Sequence, residues 1–205
     1  MSDGSLGVAL SGHRDYVGGL WDQIGLMQFE FLVSEGLMPG HVLLDIGCGA
    51  LRGGIHFIPY LDPGHYLGID KTRTLIRRGL RSELPDEVRR QRRPHFVVSD
   101  RFEFQRFPLA ADFALAQSLF THLPARDITR CLEKLRLYAP QCRLYATFFE
   151  VERTGVNPST AHSRQGFSYT REQMASHGAG LGWVFRYIGD WGHPRGQMMG
   201  EYRPE

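Results

Sequence analysis

Cysteine is scarce: three occur in 205 residues, at Cys48, Cys131 and Cys142. They have no metal-ligand spacing and cannot all pair with one another, so neither a disulfide framework nor a thiolate metal site is expected. Lysine is scarcer, appearing only at Lys71 and Lys134, so the cations are almost all arginine. No apolar run approaches the roughly 20 residues that a bilayer crossing needs. There is no internal repeat and no low-complexity tract. The start, Met1-Ser-Asp-Gly-Ser5, lacks the basic-then-apolar pattern of a secretion signal, so cytoplasmic residence is the expectation. An excess of one charge is missing too: the formal charge is +2, too mild to imply nucleic acid. The one basic cluster, Arg89-Arg-Gln-Arg-Arg93, falls at the predicted end of a helix, where cations complement the macrodipole; a polyanion contact is the alternative.

The length suits a single domain with a proper core, and 42% hydrophobic against 22% charged residues is ordinary for a globular protein. Apolar positions Ile24, Met27, Phe31 and Leu32 recur at helical spacing and predict an amphipathic helix over 21–37, ended by Gly36 and Pro39-Gly40. Strands and helices then alternate. The expected strands are 42–46, 66–69, 96–99, 113–117 and 143–150. The intervening helices are 51–60, 72–90 and one opened by Pro124, whose stripe Ile128, Cys131, Leu132, Leu135 and Tyr138 reads as core. A polar stretch over 152–169 lacks periodicity and is long for a loop, as lids and binding segments often are. A helix over 170–179 leads to runs 183–188 and 197–202. No helix fits between these runs, so they must pair antiparallel.

The run His41-Val-Leu-Leu-Asp-Ile-Gly-Cys-Gly-Ala-Leu-Arg-Gly-Gly54 carries the chemistry. It reads as a buried strand, a glycine turn and a helix whose N-terminus faces a ligand. The next strand ends on Asp70, at the distance where a carboxylate grips ribose hydroxyls in a nucleotide fold. In the dinucleotide pattern G-x-G-x-x-G, Gly47 and Gly49 fill two places, but Arg52 stands where the third glycine belongs. Its cation would crowd helix packing yet could sit near a single carboxylate. Asp45, just before the turn, is expected to accept from loop amides.

The segment Asp45-Ile-Gly-Cys-Gly49, with Asp70 and the later segments, resembles the first motif of class I (Rossmann-like) S-adenosylmethionine (SAM) methyltransferases, in particular the small-molecule type 11/12 group. The resemblance covers residues 38–203. It implies a doubly wound α/β fold: seven mostly parallel strands with a C-terminal antiparallel hairpin strand. The chain is then one domain, with an N-terminal cap helix in 1–40 and the core in 41–205. SAM is the implied cofactor. The lack of a three-cysteine cluster at iron–sulfur spacing argues against radical use of it.

Ligands in such sheets bind beyond the carboxyl ends of the parallel strands, which selects the candidate site. For the cofactor these are Gly19, Trp21, Asp45, Gly47, Cys48, Gly49, Arg52, Asp70, Lys71, Asp100, Arg101, Phe102, Gln117 and Ser118. Asp70 is read as a ribose ligand, with a helix cap as the alternative. Asp100 would accept from the adenine amino group or serve only a turn, and Phe102 would stack on adenine or pack in the core. Gly18 and Gly19 permit close backbone approach or simply turn the chain. Gln117-Ser-Leu-Phe-Thr-His-Leu123 is similar to the family's segment after strand four, where Gln117 would face the cofactor and His122 could take a proton; helix-entrance packing competes for His122. The tip Asp190-Trp-Gly-His-Pro-Arg-Gly-Gln197 makes His193 a second candidate base and Arg195 a substrate contact. His162, Arg164 and Tyr169 come from the long polar stretch, with surface solvation as the alternative for the charged members.

The leading expectation is SAM-dependent methylation of a small molecule on oxygen, without a metal. A nicotinamide-dependent reductase and a non-catalytic SAM- or nucleotide-binding module are the competitors. Neither nucleic acid nor membrane is an expected partner. The acceptor and the oligomeric state are not legible.

Overall fold

The apolar run after His41 becomes β1 (Leu43–Ile46), in which all four residues are buried. The computed structural model describes residues 12–161 and 166–205, which fall into two compact units divided between Leu109 and Ala110.

In the first unit, α1 (His13–Tyr16) and α2 (Trp21–Ser34) precede β1. Leu20 takes a left-handed φ of 47°, which sets the start of α2, and the helix buries Trp21, Ile24, Gly25, Gln28 and Leu32. Met27 and Phe31, expected on that stripe, are only half-buried. Then come α3 (Gly54–Tyr60), β2 (Tyr66–Asp70), α4 (Arg73–Ser82), α5 (Asp86–Arg92) and β3 (His95–Val98). β2 pairs in parallel with β1 on one side and β3 on the other.

Two boundaries differ from expectation. The helix expected from residue 51 begins at Gly54, because Leu51 sits at φ 69° and cannot continue a right-handed turn. The helix expected over 72–90 is two helices. Pro85 disfavours helical backbone at Leu84 and brings no N–H, so α4 ends at Ser82 and α5 restarts at Asp86. α5 has Asp86 and Glu87 in its first turn and Arg89, Arg90 and Arg92 in its last, as the macrodipole favours. On α4, Leu75, Ile76 and Gly79 are buried, while Arg73, Arg77, Arg78 and Arg81 are exposed.

The second unit contains β4 (Phe113–Ala116), α6 (Ala125–Tyr138), β5 (Arg143–Glu150), β6 (Ser168–Tyr169), α7 (Arg171–Gly178), β7 (Trp183–Asp190) and β8 (Gln197–Pro204). α6 follows Pro124 and buries Ile128, Cys131, Leu132 and Leu135. α7 is closed by a capping box: the Gln173 N–H donates to Thr170 Oγ1, while the Gln173 side chain accepts from the Thr170 N–H. β4 is parallel to β5, and β8 pairs antiparallel with both β5 and β7. The fold is therefore the expected mixed α/β arrangement, mostly parallel and closed by antiparallel strands. Its described residues hold eight strands, not seven. The addition is β6, two residues parallel to the end of β5. It is helped by Asn157, whose side chain takes the Ser168 N–H at 3.0 Å and donates to the Ser168 carbonyl at 2.8 Å. No helix of the described residues is long and apolar enough to cross a membrane.

Candidate functional site

The parallel register Asp45↔Gly68 and Ile46↔Ile69 brings the glycine turn against the end of β2. The N–H groups of Gly47 and Cys48 donate to the Ile69 carbonyl at 2.8 and 3.1 Å. The Gly49 N–H donates to Asp70 Oδ2 at 3.1 Å, and the Thr72 N–H donates to Asp70 Oδ1 at 2.6 Å. Gly47 and Gly49 have φ of 80° and 53°, the left-handed region where a β-carbon would strain the chain. Asp70 therefore holds the turn and caps the segment leading into α4. Burial raises its pKa, although both N–H donors and the charge of the exposed Lys71 oppose that rise.

Asp45 corrects an expectation. The turn amides bond to Ile69, and Asp45 Oδ2 instead accepts from the Tyr66 hydroxyl at 2.6 Å. Burial pushes its pKa up to about 6; the Tyr66 bond lowers it, Asp70 raises it and Arg52 lowers it. Cys48 is buried and its thiol is pushed far up, chiefly by burial; it is a packing residue rather than a nucleophile.

Arg52 is 9% exposed. Its Nη1 donates to the carbonyls of Val17 and Gly19, each at 3.1 Å, so the residue that breaks the dinucleotide pattern ties down the chain before α2. Gly19 has φ 61°, with open space where a β-carbon would stand. A β-carbon on Gly49 would lie 3.3 Å from Val17 Cγ1, so the leading segment rests on the glycine turn. Trp21 packs with Ala50 and Leu75, and its buried indole N–H has no hydrogen-bond partner. Beyond β3, Asp100 and Arg101 are exposed, with a long 3.9 Å ion pair between them. Phe102 holds φ 55° and packs against Phe104 at 6.0 Å.

The second unit has its own polar cluster. Register Ala116↔Ala146 puts Gln117 just past the end of β4, beside Thr147 of β5, and Phe149↔Gln197 brings the start of β8 to the same end of β5. Ser118, at φ 54°, receives the Gln117 side-chain amide on its Oγ at 2.8 Å. It donates that hydroxyl to Gln197 Oε1 at 3.0 Å and its N–H to Thr147 Oγ1 at 2.7 Å. The Thr147 hydroxyl donates to Gln197 Oε1 at 2.8 Å.

His193 joins this cluster, buried and stacked on Trp191 at 5.5 Å. The Gln117 amide lies 3.1 Å from His193 Nε2, and the Arg195 N–H donates to Nδ1 at 3.2 Å. Both neighbours are N–H donors and a neutral imidazole accepts at one ring nitrogen only, so His193 accepts from one of them and lies beside the Gln117 side chain. Arg195 is exposed at the hairpin tip, and His122 is half-buried at the end of a 3-10 turn over Phe120–His122. Tyr169 is a second correction. It is 2% exposed, its hydroxyl donates to the Leu123 carbonyl at 2.5 Å, and its ring meets His177 edge-on. It is core, not substrate surface. His162 and Arg164 lie outside the described residues. No group of three or more His, Cys, Asp or Glu among the described residues could hold a metal ion.

Sequence reasoning missed Tyr66, Val17, Thr147 and Gln197. Thr147 had a signal, as the polar residue within the apolar run Leu144-Tyr-Ala-Thr-Phe-Phe149. Tyr66 had none, because a strand tyrosine looks the same whether or not its hydroxyl has a carboxylate.

No family model matches the chain. Solved structures do. Magnesium protoporphyrin IX methyltransferase (ChlM) from Synechocystis PCC 6803 with bound SAM is 16% identical, at TM-score 0.67 over 94% of this chain and 89% of that one. A SAM-dependent methyltransferase from Methanosarcina mazei is 16% identical, at TM-score 0.58 over 84% and 94%. CalO1, a methyltransferase in calicheamicin biosynthesis with SAH bound, is 16% identical, at TM-score 0.66 over 98% of this chain but only 61% of that one. The chain therefore has the fold of SAM-dependent methyltransferases.

Proposed function

We propose that this protein transfers a methyl group from SAM to a small-molecule acceptor, on oxygen, in the cytoplasm and without a metal. The observation that carries this reading is the junction of β1 and β2, where a left-handed glycine turn donates the Gly49 N–H to the carboxylate that ends β2. The Asp70 carboxylate accepts the Gly49 and Thr72 N–H groups, one on each oxygen, and as a charged acceptor at the end of β2 it suits the hydroxyls of a ribose. The open space beside Gly19 and the unpartnered indole N–H of Trp21 also suit an adenosyl ligand. Gly47, Gly49, Asp70, Gly19 and Arg52 would hold it, with Asp100, Arg101, Phe102 and Lys71 beside the adenosine. Bound SAM supplies a methyl already activated on a sulfonium.

What remains for the protein is alignment, which can contribute roughly 7–11 kcal/mol of the barrier. The Ser118–Gln197–Thr147 bonds and His193 fix the Gln117 side chain; His122 takes a proton from the acceptor hydroxyl; Arg195 contacts the acceptor. Calorimetric titration with SAM and with NADH tests the reading, followed by labelled-methyl transfer to a panel of hydroxylated small molecules. SAM binding with transfer supports it. NADH binding without SAM would turn it to a reductase, and SAM binding without transfer to a sensing module. The exposed arginines of α4 are the feature that favours a polyanion, so an RNA belongs in the acceptor panel, where its methylation would overturn the small-molecule reading.

A further inference from the structure

The segment from His13 to Trp21 is fastened at both ends to the first unit. At one end lies Arg52, gripping the Val17 and Gly19 carbonyls. At the other is Glu83, the residue that follows the end of α4. Glu83 Oε1 meets His13 Nε2 at 2.5 Å and accepts from Arg14 Nε at 2.9 Å, while Oε2 accepts from Arg14 Nη2 at 2.6 Å. This is a two-pronged arginine–carboxylate pair with a histidine added, and such pairs fix orientation as well as charge. The Glu83 side chain is 5% exposed, so it is not a solvated surface partner. Burial works against its charge, yet Arg14 and His13 hold the carboxyl below its usual range. Trp21 completes the latch: the Arg14 guanidinium lies 5.0 Å from the ring centre and His13 meets its edge. Between the two fastenings, Val17 lies on Gly49.

We propose that Glu83 is a positioning residue that latches the His13–Trp21 strap over the glycine turn and so sets how fast the adenosyl cofactor dissociates. The inference rests on the SAM reading above. Glu83 touches neither the turn nor Asp70 in any bond described; it acts through the strap. The side chains of the latch lie on three separate stretches, which sequence spacing could not connect: His13 and Arg14, Trp21, and Glu83 seventy residues downstream of His13.

The test compares wild type with Glu83→Gln and Arg14→Gln, the second changing a half-exposed side chain so that core folding is untouched. Backbone hydrogen exchange over residues 16–21 is measured without ligand, and SAM dissociation by stopped flow. Both variants should lose protection across the strap and release SAM about tenfold faster. The KM for SAM should rise in step while kcat at saturating SAM falls less than about threefold. Unchanged strap protection in both variants overturns the latch. Lost protection with unchanged SAM release overturns its link to the cofactor. If the wild type fails to bind SAM while the strap still depends on Glu83, the SAM reading has failed and the latch has not.

Discussion

Each oxygen of the Asp70 carboxylate takes one backbone N–H, from Gly49 at 3.1 Å and Thr72 at 2.6 Å. A substitution here therefore acts twice, by removing a ligand contact and by releasing the turn that frames it. Asp70→Ala should weaken SAM binding by about 1.5–3 kcal/mol, the range for a charge-assisted hydrogen bond; unchanged affinity by calorimetry would leave Asp70 only its turn-holding role. Of the two candidate bases, His122 is the one to remove, because His193 lies between Gln117 and the Arg195 N–H and its loss would also disturb Gln117. His122→Ala should lower kcat by about 10²–10⁴-fold with little change in the KM for SAM. A loss in thermal stability with kcat intact would mean helix-entrance packing instead.

At the scale of elements, close approach decides which glycines can change. A β-carbon on Gly79 of α4 would lie 2.4 Å from the Ala50 carbonyl oxygen, a backbone atom that cannot step aside. Gly79→Ala should destabilise the fold by about 1–3 kcal/mol, read as a lower urea midpoint. Thr170→Ala removes half of the α7 capping box and should cost about 1 kcal/mol. Much of this level was legible in the sequence. Asp45-Ile-Gly-Cys-Gly49 announced a strand and turn because only glycine sits comfortably at those φ values, and the α6 stripe announced its buried face except at Tyr138, which is half-buried. The break at Pro85 was written in the sequence as well, but the polar pattern running across it concealed two helices as one. The partners of Asp45 and Tyr169 were not legible, since hydrogen bonds between residues 21 and 46 positions apart leave no mark on local spacing. The same holds for Glu83, an ordinary acidic residue until the fold sets it under Arg14.

For the molecule as a whole, two buried groups drive stability with pH in opposite directions. The Asp45 pKa, raised to about 6 chiefly by burial, means the folded state binds that proton more tightly than the unfolded chain. Its contribution is full below the unfolded value near 3.8 and is lost as pH rises through 6. The His177 pKa, lowered to about 4 by burial, works the other way: the unfolded chain takes its proton first, so stability is lost as pH falls from 6.5 towards 4. Between pH 4 and 6.5 the two partly cancel, each amounting to about 3 kcal/mol. Urea unfolding across that window should show Asp45→Asn gaining on wild type as pH rises and His177→Asn falling behind. Parallel curves for all three proteins would mean neither group titrates differently on folding.

The last strand in the chain is not the last in the sheet. β8 lies between β5 and β7 and hydrogen-bonds to both, so β7 is made first yet has no partner in place until residues 197–204 arrive. During synthesis, β5 and β7 must therefore each keep a backbone edge open until residues 197–204 emerge from the ribosome, an interval in which a nascent chain is prone to pair with the wrong neighbour.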